Sequence, residues 1–319
     1  MTHQTHTSKP AHRFAVVGGD GRMTYLAQYL AETGYAVRVF GCGEECLPDR
    51  MSGGDLRICT TLAKSAESAT ALILPLPTTR DGETVHCPRD PGGGIPLKEV
   101  TALMQRDPHL LLFGGNLPPS LYADPALAAR TVDYNRNEEF LQKNAEITAE
   151  AAVVTAMEVT DYALMGVSVA VVGYGRIGKC LSRRLHALGA AVTVCARRRE
   201  SLAEAAAAGY EVLLLDPQVR GGGLLPLCGT HPILFNTVPA HVLRREFLLA
   251  WGDALVIDLA SAPFGVTNED VREASSVSAL RYLRAPSLPG SYAPRDAGEA
   301  IGACILNTLH SLQKGEDPL

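Results

Sequence analysis

The chain has 319 residues, more than one hydrophobic core usually organises, so two domains are expected. Hydrophobic residues at 46% and charged residues at 20% describe a globular protein and exclude a disordered one. A formal net charge of -5 leaves no basic footprint for nucleic acid and no polybasic patch for a membrane surface.

No apolar run reaches bilayer-spanning length. The polar opening MTHQTHTSKPAHR lacks the apolar core of a signal peptide, so a cytoplasmic location is expected. Its His3, His6 and His12 read as solvated tail residues. The eight cysteines are scattered, with no C-x-x-C. Cys42 and Cys46 make no metal site without two further ligands. Cys180 and Cys195 fall in apolar elements and read as buried thiols. No metal is expected.

Strands and helices alternate along the chain, the pattern of parallel α/β architecture, and they do so twice. The first pass opens with Phe14–Val17, an apolar strand that ends in Gly18-Gly19-Asp20-Gly21. A helix is predicted from about Met23 to Glu32, with Gly34 closing it. Ala36–Phe40, Ala71–Pro75 and Leu110–Phe113 read as further strands. Such continuous apolar runs suit strands covered on both faces.

A helix from about residue 146 to 165 is expected to link the two passes. Val167–Val172 is the next strand, followed by a glycine turn and a helix from Lys179 to Leu188 that Gly189 stops. Strands are then expected at Ala191–Cys195, Val212–Leu215, Ile233–Phe235, Leu255–Leu259 and Leu280–Leu283, and a helix from Asp296 to about Leu312. The triple-glycine runs at 92–94 and 221–223 read as loop tips. The fold class is therefore α/β: two Rossmann-like, doubly wound parallel-sheet domains with a cleft between them. Residues 13–145 form the first domain, 146–290 the cofactor domain, and 291–319 a C-terminal helix expected to pack on the first.

The strongest motif is Gly173-Tyr174-Gly175-Arg176-Ile177-Gly178, a G-x-G-x-x-G that follows an apolar strand and opens a helix. Gly173 permits the tight turn, Gly175 lets a pyrophosphate approach the backbone, and Gly178 lets helix and strand pack closely. The helix N-terminus offers N–H groups and the positive end of its dipole to phosphate. An NAD site carries Asp or Glu at the end of the second strand to hold the ribose hydroxyls. Here that end reads Ala196-Arg197-Arg198-Arg199, which suits a 2′-phosphate, so NADP is the expected cofactor. Thr237-Val238-Pro239 and Asp258-Leu259-Ala260 follow two further strands and are expected to border the ribose and nicotinamide. The turn Gly18–Gly21 lacks the third glycine and carries Asp20. It is expected to line the cleft without binding a dinucleotide.

These residues together resemble the A subunits of dipicolinate synthase from spore-forming bacteria, nearly end to end. The resemblance rests on Gly18-Gly19-Asp20, the strand ending at Pro75 with a Thr-rich loop after it, Thr148-Ala149-Glu150 and Asp161-Tyr162. Gly173–Gly178, Asn236–Pro239 and Asp258–Ser261 also carry it, as do Ala285–Gly290 and Ala293–Gly298. The chain departs from that pattern at Arg295, where the resemblance leads one to expect Lys, and around Pro118-Pro119.

The resemblance implies NADP-dependent oxidation of a dihydrodipicolinate-type substrate, derived from 4-hydroxy-tetrahydrodipicolinate, to dipicolinic acid during sporulation. It implies the mother-cell cytoplasm and, for a partner, the flavoprotein-like B subunit. A homo-oligomer is also expected. A small cyclic dicarboxylate calls for cations and hydroxyls. Thr78, Thr79, Arg80 and Arg295 are the candidates by position. Glu150 and Asp258 are the candidate acid or base groups, with a solvated helix glutamate and a turn cap as the alternatives. His231 reads as structural.

Two other readings compete. One is a 2-hydroxyacid or alanine dehydrogenase relative. The hydroxyacid enzymes want an Arg, Glu and His set at fixed places in the cofactor domain; that set is not found here, and no histidine occurs between His241 and His310. The other is a non-catalytic nucleotide-binding scaffold.

Overall fold

The computed structural model describes residues 12–42, 55–88 and 94–315. His3, His6, Cys46, Gly92 and Gly93 lie outside the described residues. The chain divides into two units: Met1–Lys143 with Ala293–Leu319, and Asn144–Tyr292.

The first unit runs β1 (Arg13–Val17), α1 (Gly21–Glu32), β2 (Ala36–Phe40), β3 (Asp55–Ile58), α2 (Leu62–Ala66) and β4 (Ala71–Ile73). A small hairpin, β5 (Thr84–Val85) with β6 (Ile95–Pro96), leads into α3 (Leu97–Arg106) and β7 (Leu111–Gly114). Then come α4 (Pro125–Ala128), β8 (Thr131–Asp133) and the long α5 (Glu138–Val159), which carries the chain into the second unit.

The second unit follows with β9 (Ser168–Val172), α6 (Arg176–Ala187), β10 (Ala191–Ala196), α7 (Arg199–Ala207) and β11 (Glu211–Leu214). It continues through β12 (Ile233–Asn236), α8 (Arg245–Trp251), β13 (Leu255–Asp258), α9 (Asn268–Val277), β14 (Arg281–Arg284) and α10 (Leu288–Tyr292). α11 (Pro294–Lys314) belongs to the first unit.

The strand orders are β3-β2-β1-β4-β7-β8 and β11-β10-β9-β12-β13-β14. Every ladder within these two sheets is parallel. Both sheets therefore reverse direction once, between β1 and β4 and between β9 and β12. In such sheets the ligand crevice lies outside the carboxyl ends of the strands at that reversal.

Side chains alternate across a strand, and here both faces are apolar. Phe14 and Val16 enter one cluster of the first unit, Ala15 and Val17 the other. Val169 and Val171 enter one cluster of the second unit, Ala170 and Val172 the other. That is why β1 and β9 read as unbroken apolar runs. Cys180 and Cys195 are buried thiols outside any disulfide.

Helix α1 shows the 3.6-residue period, burying Met23, Leu26, Ala27, Leu30 and Ala31. Its partner is α11, whose Gly298 and Gly302 replace side chains with backbone approach. A Cβ on Gly298 would stand 2.3 Å from the Arg22 carbonyl oxygen, and one on Gly302 would stand 2.5 Å from the Tyr29 ring.

Helix α5 spans 138–159, shifted from the expected 146–165. Asn137 sets its start by accepting from the Phe140 N–H at 2.9 Å, and Glu138 and Glu139 suit the first turn. The chain leaves the helix at Thr160, whose hydroxyl donates back to the Ala156 carbonyl at 2.8 Å. Among the described residues, no helix is long and apolar enough to cross a membrane.

Candidate functional site

The turn after β9 separates the roles of its three glycines. Gly173 has φ +97°, and its N–H donates to the Cys195 carbonyl at 2.8 Å. A Cβ there would stand 2.3 Å from Thr237 Oγ1, so the β12 loop packs directly on the turn. A Cβ on Gly178 would stand 2.1 Å from the Gly173 carbonyl oxygen, which is the close approach of α6 to β9. A Cβ on Gly175 meets nothing within 4 Å.

Gly175 is the N-cap of α6 and supplies no side-chain cap. The helix N-terminus thus faces open space with its N–H groups turned outward, which suits a pyrophosphate. Thr237 secures this arrangement, its N–H and Oγ1 both donating to the Val172 carbonyl at 2.9 and 3.0 Å. Tyr174 is buried against the Tyr210 ring, and Ile177 packs on the same core cluster. What these two residues offer a ligand is backbone. Arg176 is exposed.

Beyond Ala196, buried at the end of β10, Arg197, Arg198 and Arg199 are all exposed. Among the described residues, no carboxylate pairs with any of them, and none stands at the strand end. The nearby Glu204 is engaged by Lys179 at 2.7 Å.

At the ends of β12 and β13 the polar groups are satisfied internally. The Asp258 carboxylate is fully buried and accepts from four donors. They are Asn236 Nδ2 at 2.8 Å, Ala260 N–H at 3.1 Å, Gly265 N–H at 2.7 Å and the Tyr282 hydroxyl. Asn236 also clamps its own loop, donating to the Val238 carbonyl and accepting from the Val238 N–H. The expectation of Asp258 as acid or base gives way to a positioning role, because every lone-pair direction is occupied. Leu259 and Ala260 are buried beside it, while Pro239 is exposed. Glu150 is exposed on α5 and accepts from the Tyr292 hydroxyl at 3.4 Å.

In the first unit the turn after β1 is closed. The Gly18 N–H donates to the Phe40 carbonyl and the Gly19 N–H to the His86 carbonyl, both at 2.8 Å. A Cβ on Gly18 would stand 2.7 Å from Val85, so the β5 segment lies over the turn. Asp20 caps α1, accepting from the Arg22 N–H, and fills the place a phosphate would need.

The loop after β4 holds Thr78, Thr79 and Arg80 together. Thr78 is fully buried, with its hydroxyl donating to the Pro75 carbonyl at 3.1 Å. It shapes the loop and presents no hydroxyl to a ligand, contrary to expectation. Thr79 donates to Asp81 at 2.9 Å, and Arg80 is exposed. The Asp81 carboxyl is held below the usual range, first by hydrogen bonds from Thr84 and then by Glu83 and Thr79. Arg295 runs along α11 to Glu299 at 2.8 Å, an i,i+4 pair, and does not join that loop.

The pair of partly buried Asp20 with buried Arg22 escaped the sequence reading. Arg22 Nε and Nη2 fork onto Asp20 Oδ1 and Oδ2 at 2.9 and 2.8 Å, and Nη2 also donates to the Leu76 carbonyl. The signal available was Asp20 two residues before an arginine at a helix start, a spacing that permits a fork only once the helix forms.

Residues 13–126 match the family model for the N-terminal domain of the dipicolinate synthase A subunit. Residues 134–220 match the NAD-binding domain of D-isomer specific 2-hydroxyacid dehydrogenases, so the second unit carries a nicotinamide-dinucleotide-binding domain. The chain is 28% identical over 307 residues to the dipicolinate synthase A subunit of Bacillus subtilis (strain 168), covering 95% of this chain and 98% of that one. The crystal structure of the Bacillus subtilis protein aligns with a TM-score of 0.76 at 26% identity, over 96% of this chain and 98% of that one. The crystal structure of the Bacillus halodurans protein aligns with a TM-score of 0.77 at 23% identity, over 94% and 98%, a likeness of fold. With its N-terminal part matched by that domain model and a relative aligned almost end to end, the chain is similar to dipicolinate synthase A subunits over nearly its whole length.

Proposed function

We propose that this chain is the NADP-dependent dehydrogenase subunit that oxidises a dihydrodipicolinate-type substrate, derived from 4-hydroxy-tetrahydrodipicolinate, to dipicolinic acid. The observation that carries the reading is the open glycine turn at Gly175, followed at the end of β10 by arginines that pair with no carboxylate among the described residues, in a chain similar to dipicolinate synthase A subunits.

The residues present fit a dinucleotide. The backbone of Gly173–Gly178 and the start of α6 would hold the pyrophosphate. Arg197 and Arg198 would hold the 2′-phosphate as charge-assisted forks. Thr237–Pro239 and Leu259-Ala260 would border the nicotinamide ribose, kept in place by the Asn236–Asp258 hydrogen bond. When bound, NADP+ supplies the hydride acceptor.

The reaction balances as loss of water from the hydroxy precursor, then loss of one hydride and one ring proton. Aromatisation makes the second step downhill, so the protein's task is mainly alignment. Glu150 is the group assigned to accept the proton, with the Tyr292 hydroxyl orienting its carboxylate. The substrate's carboxylates call for cations, of which Arg80 is the expected one. The flavoprotein-like B subunit is the expected partner, the assembly a homo-oligomer of this chain with it, and the mother-cell cytoplasm of a sporulating bacterium the expected location.

The test is the purified chain with NADP+ and the hydroxy precursor, with and without the B subunit. Dipicolinate and NADPH absorbance should rise together. Intact NADP binding without turnover in either mixture would replace the dehydrogenase by a nucleotide-binding scaffold.

A further inference from the structure

We propose that Arg22, assisted by Arg80, receives a carboxylate of the substrate in the first unit. The inference deepens the function proposed above and rests on it for the identity of the anion.

Arg22 is the second residue of α1, and its side chain is only 6% exposed. A guanidinium has five N–H donors in a fixed plane, and burying it is costly unless they find acceptors. Three find one: Nε and one Nη2 hydrogen on Asp20, the other Nη2 hydrogen on the Leu76 carbonyl. Among the described residues, nothing accepts from Nη1. Among the described residues, the atoms that are both fully buried and unpaired are Ser182 Oγ and Arg284 Nε. Nη1 is not one of them, so it touches solvent. The guanidinium is therefore pinned along one edge by the helix cap and the β4 loop, with the remaining edge directed outward. Held that way, it needs no reorganisation to accept an oxygen acid.

The charges around it favour an anion. Asp20 pairs with Arg22, and Arg80, exposed on the loop after β4, has no ion-pair partner among the described residues. The half-buried His86 ring, just after β5, lies within electrostatic reach of Arg80 on the β4 loop and of Asp20 and Arg22 at the β1 turn. Burial first, then Arg80, pushes the His86 imidazole below its ordinary value, which keeps the ring neutral near pH 7. With Asp20 paired to Arg22 and His86 neutral, these side chains carry the one positive charge of Arg80, matching one carboxylate; the neighbouring Asp133 carboxylate is held by the Asn116, Leu117 and Asn135 N–H groups. The backbone of the adjacent turn does not compete, because the Gly19 N–H is committed to His86 and Asp20 occupies the helix cap.

The experiment titrates pyridine-2,6-dicarboxylate into the NADP-saturated full chain, as parent, R22K and R80Q, with melting temperature and NADPH affinity as controls. Lysine keeps the charge but not the fork. R22K should weaken dicarboxylate binding about tenfold or more, the loss of one charge-assisted hydrogen-bonded pair, and R80Q less. NADPH affinity should stay unchanged in both. Equal dicarboxylate affinity in parent and variants, or none in the parent, overturns the proposal.

Should R22K fail to fold, the Arg22 guanidinium proton resonances of the parent decide. A shift on adding dicarboxylate supports the site and no shift overturns it. The two readings separate cleanly. Turnover by the parent with unchanged KM in R22K sinks the carboxylate site alone. Arg22-dependent binding without turnover sinks the oxidation alone.

Discussion

The three glycines of the cofactor turn do different work, and substitution separates them. Gly178 sits where a Cβ would collide with the Gly173 backbone, whereas Gly175 faces open space. Gly178→Ala should therefore destabilise the fold by about 1–3 kcal/mol in urea unfolding. Gly175→Ala should leave the unfolding midpoint alone and weaken NADPH binding about tenfold or more, by intruding on the phosphate and its N–H donors. Equal midpoints for the two variants would contradict this division. The arginines make the second prediction at this scale. Arg197→Glu with Arg198→Glu should weaken NADP binding by roughly 1.5–3 kcal/mol for each lost phosphate pair, and NAD binding far less. Parent protein that binds both dinucleotides equally would refute the 2′-phosphate assignment. The glycine spacing and the arginines are local and stand openly in the sequence. The state of Asp258 does not, because its four donors come from residues 236, 260, 265 and 282.

At the scale of elements, the pairing of α1 with α11 is the clearest case of sequence chemistry read only after folding. Gly298 in the middle of a helix ordinarily costs stability, and alanine there would gain up to about 1 kcal/mol in an isolated helix. Here a Cβ would meet the backbone of α1 at Arg22 and Leu26, so the sign reverses. Gly298→Ala should lower stability by about 1–3 kcal/mol, measured by denaturant unfolding. A stabilised variant would mean the helices do not approach as described. α5 is tied to α6 by ion pairs from Arg183 and Arg184 to Glu146. Partial burial works to raise the Glu146 carboxyl, but hydrogen bonds from Arg183, Arg184 and Cys180 outweigh it and hold it at about 2. These ties belong to the second unit, which is why the helix continues well past its start in the first.

At the scale of the molecule, the two units differ in how the chain builds them. The second is one continuous segment with its own pair of core clusters. The first is completed by residues far downstream: Ile301, Cys304, Ile305 and Leu309 share a cluster with Phe14, Leu26 and Leu30. A fragment of residues 144–292 should fold and bind NADPH by itself, whereas residues 1–143 without α11 should not give a cooperative thermal transition. A cooperative transition in the shorter N-terminal piece would show that α11 is dispensable to that core.

The sequence alone determined the parallel α/β class, the repetition of the pattern and the glycine turn after β9. Each follows from local periodicity or from glycines a few residues apart, which act through backbone geometry wherever the strand and helix form. Tertiary structure decided the rest. It turned Asp258 and Thr78 inward, set Arg295 on its own helix neighbour, and forked Arg22 onto Asp20 with one edge left open. The reason is physical: a polar side chain's role is fixed by which donors and acceptors arrive beside it, and for Asp258 and Arg22 some of those come from distant segments, Asn236 and Tyr282 for the one and Leu76 for the other.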